Sequence, residues 1–290
     1  MRAYLDIVKK IIETGERKEN RTGVDAISIA GAMFEHDMSL GFPLLTTKKM
    51  PFKIVAAELE FFIKGLTDKE WLKAKNCHIW DEWASPLKIH YGHDEETKAK
   101  MKNERDLGPI YGFQWRHFNA DYHSFDSDYA GQGIDQLKQV VEKLKSNPND
   151  RRMIVSAWNP SKIPEMALPP CHFAFQVTVI NNKLNLLWSQ RSVDTMLGLP
   201  FNIASYAILL HLLAKEAGLK EGKLVGFLAD THIYVNHLDG AKEQLARDPN
   251  LYPLPQIATE NFTSVFNWRS EDTKLLNYQS QPKIEFPIAV

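Results

Sequence analysis

The sequence predicts an α+β fold organised as a single domain. Apolar residues recur at helical spacing near the N-terminus and again at 54–63 and 137–144, whereas alternating apolar runs at 172–180 and 183–190 indicate strands. No internal repeat, low-complexity tract or flexible linker divides the chain. We therefore expect one α+β domain over 1–290.

The composition is that of a folded protein without a strong overall charge. Of its 290 residues 44% are hydrophobic, which is enough for a sizeable core. A formal charge of −1 provides no global field for nucleic acid or membranes, so any anion must be bound by a local cluster of arginines. Two cysteines are too few for a disulfide framework, and no apolar run reaches the length of a bilayer span. We expect a cytoplasmic location.

The chain opens with a predicted amphipathic helix and a strand. Apolar residues at helical spacing over 5–12 indicate the helix, and Gly15 follows as a natural stop. Ile27, Ile29 and Met33 then fall on one parity, which predicts a strand.

A second amphipathic helix is predicted to begin after Pro51 and to end before Gly65. Glu58 lies on or beside its apolar stripe. The span 84–107, called the charged insertion below, is highly charged and weakly periodic, so we expect an inserted surface excursion. A shorter polar stretch follows at 117–133.

The second half of the chain alternates between helix and strand patterns. A helix is expected over 134–146, and strands follow from 152 onward, two of them joined by a tight turn at Asn181-Asn182. The nearly all-apolar span 202–217 predicts a central buried helix. The remaining chain reads as a strand at 223–230, a helix near 236–247 and a proline-punctuated tail.

Cys171 is the first candidate for chemistry. It follows a double proline, which fixes the approach of the backbone to the strand that begins after it. Such a position can hold a nucleophile, but a buried structural cysteine is the alternative. His172 does not make a Cys-His dyad with it, because neighbours on a strand point to opposite faces.

Four arginines could form an anion site. They are Arg21, the pair Arg151 and Arg152, and Arg191, which Ser192 follows. Guanidinium forks suit a phosphate dianion, and positive charge nearby would lower the pKa of a thiol. Ordinary salt bridging is the alternative for each arginine.

Several residues could recognise a nucleotide or another flat ligand. The Asn202 amide could match the O4 and N3–H edge of uracil, with helix N-capping as the alternative. His232 and Tyr234 alternate at a predicted strand end and could reach sugar hydroxyls. Trp80 and Trp83 could stack on a flat heterocycle, although the core is the default place for tryptophan.

Signals for metals and phosphate loops are weak. His90 and His93 lie among acidic residues in the charged insertion, without a second cluster of ligands, so we expect no metal. Gly131 and Gly133 lack a third glycine and a preceding strand pattern, and no P-loop exists.

The motifs of the chain, taken in order, resemble those of thymidylate synthase from end to end. They are Asn-Arg-Thr-Gly (20–23), Phe-Pro-Leu-Leu-Thr-Thr-Lys (42–48), Ile-Trp-Asp-Glu-Trp (79–83), Leu-Gly-Pro-Ile-Tyr-Gly (107–112), Asp-Arg-Arg-Met-Ile-Val-Ser-Ala-Trp-Asn-Pro (150–160), Met-Ala-Leu-Pro-Pro-Cys-His (166–172), Gln-Arg-Ser-Val-Asp (190–194), Leu-Gly-Leu-Pro-Phe-Asn-Ile-Ala-Ser-Tyr (197–206) and Asp-Thr-His-Ile-Tyr-Val-Asn-His (230–237). The resemblance implies a large mixed β-sheet packed by helices, with one sheet face forming a homodimer interface.

The resemblance also implies a reaction, the reductive methylation of deoxyuridylate (dUMP) to thymidylate (dTMP). Cys171 would attack C6 of the nucleotide, Glu58 would organise water for proton transfers, and Tyr111 would assist removal of the C5 proton. Asn202 and Asp194 complete the implied catalytic set. Residues implied to bind the nucleotide are Arg21, Gln190, Arg191, Ser192, Asn202, His232 and Tyr234, with Arg151 and Arg152 contributed by the other subunit.

The implied one-carbon and hydride donor is 5,10-methylenetetrahydrofolate, which would leave as dihydrofolate. No metal is implied. Lys48 would lie toward the glutamyl tail, and the C-terminal residues 287–290 would close over the ligands. The other residues implied to contact the folate are Ile79, Trp80, Trp83, Leu168, Asp194, Leu197, Gly198, Phe201 and Ala289.

Some positions depart from the usual pattern of that family and keep other activities open. Glu60 stands where Leu is common, and Phe286 stands where Ala precedes the terminal Pro. A related dUMP hydroxymethylase, in which water captures the one-carbon group, is one alternative. An inactive nucleotide-binding or RNA-binding paralogue is another, although the intact Cys171, Glu58 and four arginines argue against that as the sole role.

Overall fold

The computed structural model describes residues 1–20 and 22–288. Two compact units make up the chain. The first contains Met1–Phe52, Val179–Asn261 and Thr273–Val290, and the second contains Lys53–Thr178 and Phe262–Asp272. The prediction of a single domain over 1–290 stays a prediction.

The described residues form both helices and strands. The α-helices are α1 (Arg2–Thr14), α2 (Phe52–Ile63), α3 (Lys69–Lys73), α4 (Glu95–Asn103), α5 (Tyr111–His117), α6 (Gln136–Ser146), α7 (Gly198–Ala217) and α8 (Leu238–Ala246). The strands are β1 (Glu16–Lys18), β2 (Ala26–Asp37), β3 (Ile154–Ser156), β4 (His172–Ile180), β5 (Lys183–Asp194), β6 (Lys220–Tyr234), β7 (Gln256–Thr259) and β8 (Thr273–Leu276).

Six of the strands form a mixed sheet in the order β1-β2-β6-β5-β4-β3. The pairs β1–β2, β2–β6 and β3–β4 are antiparallel, whereas β5 and β6 are parallel. A parallel pair needs a crossover, and α7 provides it and packs against both strands. These findings confirm the predicted α+β class and the large mixed sheet packed by helices.

The turn between β4 and β5 is the one predicted from the sequence. Asn181 and Asn182 separate the two strands and have φ angles of 51° and 58°. Two central residues with positive φ match the right-handed twist of paired strands, and Asn tolerates that conformation better than most residues. The residue type therefore explains the position of the turn.

The apolar face of β2 that predicted the strand is half-buried at Ile27 and Ile29 and exposed at Met33. The buried residues of β2 are Ala26, Phe34 and His36, on the opposite parity from Met33, which is 60% exposed. Met33 lies directly opposite Phe227 of β6, which is 47% exposed. Directly opposite residues share a sheet face, so this face carries an exposed apolar pair in the single chain.

The central buried helix begins four residues earlier than predicted. α7 starts at Gly198, so Asn202 lies inside the helix and the interpretation of Asn202 as the N-cap is wrong. Pro200 lies in the first turn, where its missing N–H costs no intrahelical hydrogen bond. The predicted end is confirmed, because Gly218 has a φ of 65° and closes the helix.

The charged insertion is a surface excursion only in its middle. The middle of the insertion contains α4. Its two ends belong to the buried core, since Ser85 and Asp106 are both fully buried. The Ser85 N–H donates to the Asp106 carbonyl at 2.7 Å, which closes the excursion at its base. The polar stretch at 117–133 is likewise anchored, because Tyr122 and Tyr129 are buried and stack on each other.

The tail contains a strand pair that the sequence pattern did not reveal. β7 and β8 pair antiparallel, with Gln256 opposite Leu276, although thirteen residues separate the two strands. Among the residues that the structure describes, no helix has the length and apolar character that crossing a bilayer requires. Over 1–20 and 22–288 there is also no group of three or more His, Cys, Asp or Glu side chains suited to a metal ion.

Candidate active site

In the second unit, Cys171 lies immediately before β4 and is half-buried. Its backbone N–H donates a hydrogen bond of 2.7 Å to the hydroxyl of Tyr111. The following residue, His172, is buried with its ring 4.5 Å from that of Tyr111, and burial lowers the pKa of His172 to about 3. His172 is therefore uncharged near neutral pH, and the Tyr111 hydroxyl is a polar group that the structure brings to Cys171.

Tyr111 is held at the start of α5 by close packing against α2. Its ring stacks on Phe62, with centroids 4.9 Å apart and an interplanar angle of 19°. The next residue is Gly112, where a Cβ atom would lie 2.4 Å from the Phe62 carbonyl oxygen. The absence of a side chain there lets the two helices approach and places the Tyr111 hydroxyl.

We expect Gly112→Ala to destabilise the fold by about 1–3 kcal/mol, because the new methyl group meets backbone rather than a movable side chain. The loss is measured by chemical denaturation. Gly131→Ala is a control for a change of glycine, since a Cβ at Gly131 meets nothing within 4 Å and only its φ of 72° disfavours the change. A Gly112→Ala variant of wild-type stability would contradict the close approach.

Glu58 lies on α2 with only 8% of its surface exposed. Burial raises the pKa of Glu58 to about 7, against the lowering effect of a hydrogen bond from Trp80. In that bond the Trp80 indole N–H donates to a carboxylate oxygen at 2.8 Å. The Trp80 ring in turn packs edge-on against Tyr111 at 6.0 Å. The second unit therefore links Glu58, Trp80, Tyr111 and Cys171 through direct contacts, with a carboxyl group that can exchange protons near neutral pH.

The remaining folate candidates of the second unit are only partly covered. Ile79 is 38% exposed, and Trp83 and Leu168 are half-buried. Trp83 stacks on Tyr91 of the charged insertion, with centroids 5.8 Å apart. The sequence interpretation did not include Tyr91.

In the first unit, the nucleotide-binding candidates lie on β5 and β6 and on α7. Gln190 is buried and accepts from Trp188 while donating to the Ser192 carbonyl. The parallel register of β5 and β6 places Asp194 opposite His232. Ser192, Arg191 and Tyr234 are half-buried, and Asn202 is buried within α7 with 8% of its surface exposed. Polar side chains therefore gather at the end of this strand pair.

Asp194 also shapes the start of α7. Its Oδ1 atom accepts the backbone N–H groups of Met196 and Leu197, both at 3.1 Å. Leu197, Gly198 and Phe201 are half-buried in the first turns that follow. The folate candidates of the first unit thus share one short segment.

Lys48 is buried rather than open to an anionic ligand. Its ammonium group donates to the Met196 carbonyl and lies 4.7 Å from the ring centroid of Phe286. Burial lowers the pKa of Lys48 to about 8, although the charge of Asp194 acts in the opposite direction. Phe286 therefore covers the Lys48 ammonium.

His237 holds the same part of the tail and was missed in the sequence. Its ring is fully buried, packs against Phe286 at 5.1 Å, and places Nε2 2.6 Å from the carbonyl oxygen of Pro287. The available signal was its position at the end of the Asp-Thr-His-Ile-Tyr-Val-Asn-His motif. A docked tail is thus built from side chains far apart in the sequence.

The arginine candidates are only partly described. Arg151 and Arg152 are exposed, and Arg152 pairs with Asp150 at 3.0 Å. Arg191 is half-buried on β5. Arg21 and Ala289 lie outside the described residues.

Comparison with known proteins assigns the chain to one family. The thymidylate synthase family profile matches residues 2–290. The chain is 44% identical over 287 residues to a bifunctional dihydrofolate reductase-thymidylate synthase of Paramecium tetraurelia and spans 61% of the length of that protein. It is 43% identical to a thymidylate synthase of varicella-zoster virus and 42% identical to that of Homo sapiens, covering 93% and 90% of those chains.

The fold and these relatives define an enzyme, a methyltransferase. The chain belongs to the thymidylate synthase family.

Proposed function

We propose that this protein converts dUMP to dTMP with 5,10-methylenetetrahydrofolate as the one-carbon and hydride donor and dihydrofolate as the second product. The observation that carries the proposal is the contact series Glu58–Trp80–Tyr111–Cys171 in a chain whose family match runs from residue 2 to residue 290. It combines a thiol, a phenol and a carboxyl group of raised pKa, which are the groups that covalent addition and proton transfer require.

In the proposed reaction the Cys171 thiolate forms a bond to C6 of dUMP, which makes C5 a nucleophile. Tyr111 assists removal of the C5 proton, and Glu58 organises water for the proton transfers. The pKa of about 7 supports this role for Glu58, because a group that half-ionises near neutral pH can both accept and release protons. After C5 has taken up the one-carbon unit and lost its proton, cleavage of the Cys171–C6 bond restores the C5–C6 double bond and frees the thiolate.

The remaining nucleotide contacts follow the family resemblance. Asn202 would read the pyrimidine edge, and His232 and Tyr234 would bind the 3′-hydroxyl. The 5′-phosphate would be held by Arg21, Arg191 and Ser192, with Arg151 and Arg152 contributed by a second subunit. Gln190 is a further proposed nucleotide contact. The burial of Asn202 inside α7 supports selective reading, because a ligand that leaves a buried amide unpaired loses binding free energy.

The residues present suit a folate co-substrate. Flat indole rings at Trp80 and Trp83 match a pteridine ring, and the Lys48 ammonium matches a glutamyl carboxylate. When bound, the folate supplies the one-carbon unit and the hydride. The other proposed contacts are Ile79, Leu168, Asp194, Leu197, Gly198, Phe201 and Ala289. Since Phe286 covers Lys48, a carboxylate reaches that lysine only after the tail shifts.

The test is incubation with C5-tritiated dUMP and methylenetetrahydrofolate, with tritium release and dihydrofolate followed together. The proposed synthase gives both products. Tritium release without dihydrofolate would favour the hydroxymethylase, and the absence of both would favour a nucleotide-binding or RNA-binding protein without this activity.

We also propose that the protein works as a cytoplasmic homodimer. The exposed pair Met33 and Phe227 on one sheet face supports burial against a second copy. The exposure of Arg151 and of Arg152, whose side chain is 83% exposed, supports their use by the partner site.

Mixed dimers test the shared phosphate site. Arg191→Ala and Arg152→Ala homodimers should each lose activity, because phosphate contacts are charge-assisted. Mixing the two variants should restore about a quarter to a half of wild-type activity, since one site per mixed dimer then has neither substitution. The measurement is dihydrofolate formation after dissociation and reassociation, with Arg17→Ala as an exposed control. No recovery would count against contribution across the interface.

A further inference from the structure

The charged insertion is fixed to the Trp80–Trp83 segment by a buried lysine. Lys69 of α3 is fully buried, and its ammonium group donates to the carbonyl oxygens of Asp81, Trp83 and Met101 at 2.9, 2.8 and 2.6 Å. A lysine has three N–H donors, so all of them are used. Met101 belongs to α4 and is buried, and therefore Lys69 joins the C-terminal end of α4 to the backbone on both sides of Glu82.

The residues that precede α4 meet the same segment through aromatic rings. Tyr91 stacks on Trp83 with an interplanar angle of 10° and centroids 5.8 Å apart. His93 packs edge-on against Tyr91 at 5.0 Å, and the adjacent Asp94 caps α4 by accepting the Thr97 N–H at 2.9 Å. The Asp94 cap thus fixes the start of α4 close to Tyr91, which stacks on the Trp83 indole.

These two attachments restrain Trp83 at its backbone and at its ring. Tyr91 is 39% exposed, so it does not serve mainly to fill the core. Stacked aromatic rings restrict each other to a few orientations, whereas a half-buried indole without its neighbour would populate several. Only the fraction of protein with the competent orientation binds a ligand that stacks on that indole.

We propose that the charged insertion is a positioning arm for the folate co-substrate, with Tyr91 as a positioning residue that acts through Trp83. This inference rests on the proposed function, which assigns Trp83 to the folate. The Tyr91 ring orders the indole before the ligand arrives, so loss of this stack weakens folate binding and leaves nucleotide binding and kcat unaffected.

The experiment compares Tyr91→Ala and Tyr91→Phe with Leu87→Ala, which removes an exposed apolar side chain from the same insertion. Tyr91→Ala should raise the KM for methylenetetrahydrofolate about 2- to 10-fold, the range that the loss of one aromatic pair corresponds to. The KM for dUMP and kcat should stay within about twofold. Tyr91→Phe and Leu87→Ala should behave like wild type, because both variants keep an aromatic ring at position 91 to stack on Trp83.

Equilibrium binding of dihydrofolate, measured by calorimetry on the full-length chain, provides the second readout. Tyr91→Ala should weaken it by the same factor. An unchanged folate KM and unchanged dihydrofolate affinity in Tyr91→Ala would overturn the inference, as would an equal loss in Leu87→Ala. If wild type binds dihydrofolate but forms none, the proposed reaction fails while the binding comparison still decides on the arm. A wild-type chain with no affinity for dihydrofolate would overturn both.

Discussion

We expect Cys171→Ser to lower the rate of dihydrofolate formation by about 10³-fold or more, the order of loss seen when an enzyme loses its nucleophile. A serine hydroxyl is nearly isosteric with the thiol but does not ionise near neutral pH, so the bond to C6 of dUMP would not form. The hydrogen bond from the residue-171 N–H to Tyr111 involves only backbone on that side and should persist.

The loss should therefore be confined to chemistry. Tritium release and dihydrofolate formation should fall together, whereas dUMP binding by calorimetry should stay within a few-fold of wild type. Cys77→Ala is the matched control, because Cys77 is buried and burial raises the pKa of its thiol to about 12, which leaves it unreactive. Wild-type turnover in Cys171→Ser, or an equal loss in Cys77→Ala, would remove Cys171 from the role of nucleophile.

Elements whose signals are local could be predicted from the sequence. The end of α7 at Gly218 and the turn at Asn181-Asn182 depend on residues that tolerate positive φ, and both occur where predicted. The pairing of β7 with β8 depends on segments thirteen residues apart, which no local periodicity reports. The alternation of apolar residues along β2 predicted a strand but not which of its faces is buried in the single chain. An apolar sheet face can pack either against the core or against a second protein.

Some residues of the candidate site could likewise be predicted from the sequence, whereas others could not. Cys171 and Glu58 could be singled out because they lie in long motifs of the family. Lys69 and Tyr91 could not, since a lysine and a tyrosine in a polar context predict a surface until the fold brings three carbonyl groups or an indole to them. The roles of Lys69 and Tyr91 depend on contacts that form only in the folded chain, and the residues next to them in the sequence do not reveal these contacts.

We expect Glu58→Gln to lower turnover by about 10²–10⁴-fold, the range for loss of a positioned acid–base group, and at the same time to stabilise the fold at pH 8. The pKa of Glu58 is about 7 in the folded chain against 4.5 for an ordinary glutamate, because burial disfavours its charged form. Between these two values the folded state binds more protons than the unfolded state, so stability falls as the pH rises. Glutamine keeps an oxygen for the Trp80 N–H and never ionises.

The variant should therefore match wild type near pH 4.5 and exceed it at pH 8 by on the order of 3 kcal/mol in the free energy of unfolding, measured by urea denaturation at both pH values. Glu60, two residues further along α2 and also buried, is the matched control. Its own burial raises the pKa of Glu60, but hydrogen bonds from Ser270, Lys64 and Lys75 outweigh that effect and hold the pKa below its usual value. Its contribution to stability is present above the unfolded pKa and is lost as the pH falls, so Glu60→Gln should destabilise the fold most at pH 8. Two buried carboxyl groups on one helix would thus respond in opposite directions, and a Glu58→Gln variant that is less stable than wild type at pH 8 would show that Glu58 is held as a structural ion rather than as a proton carrier.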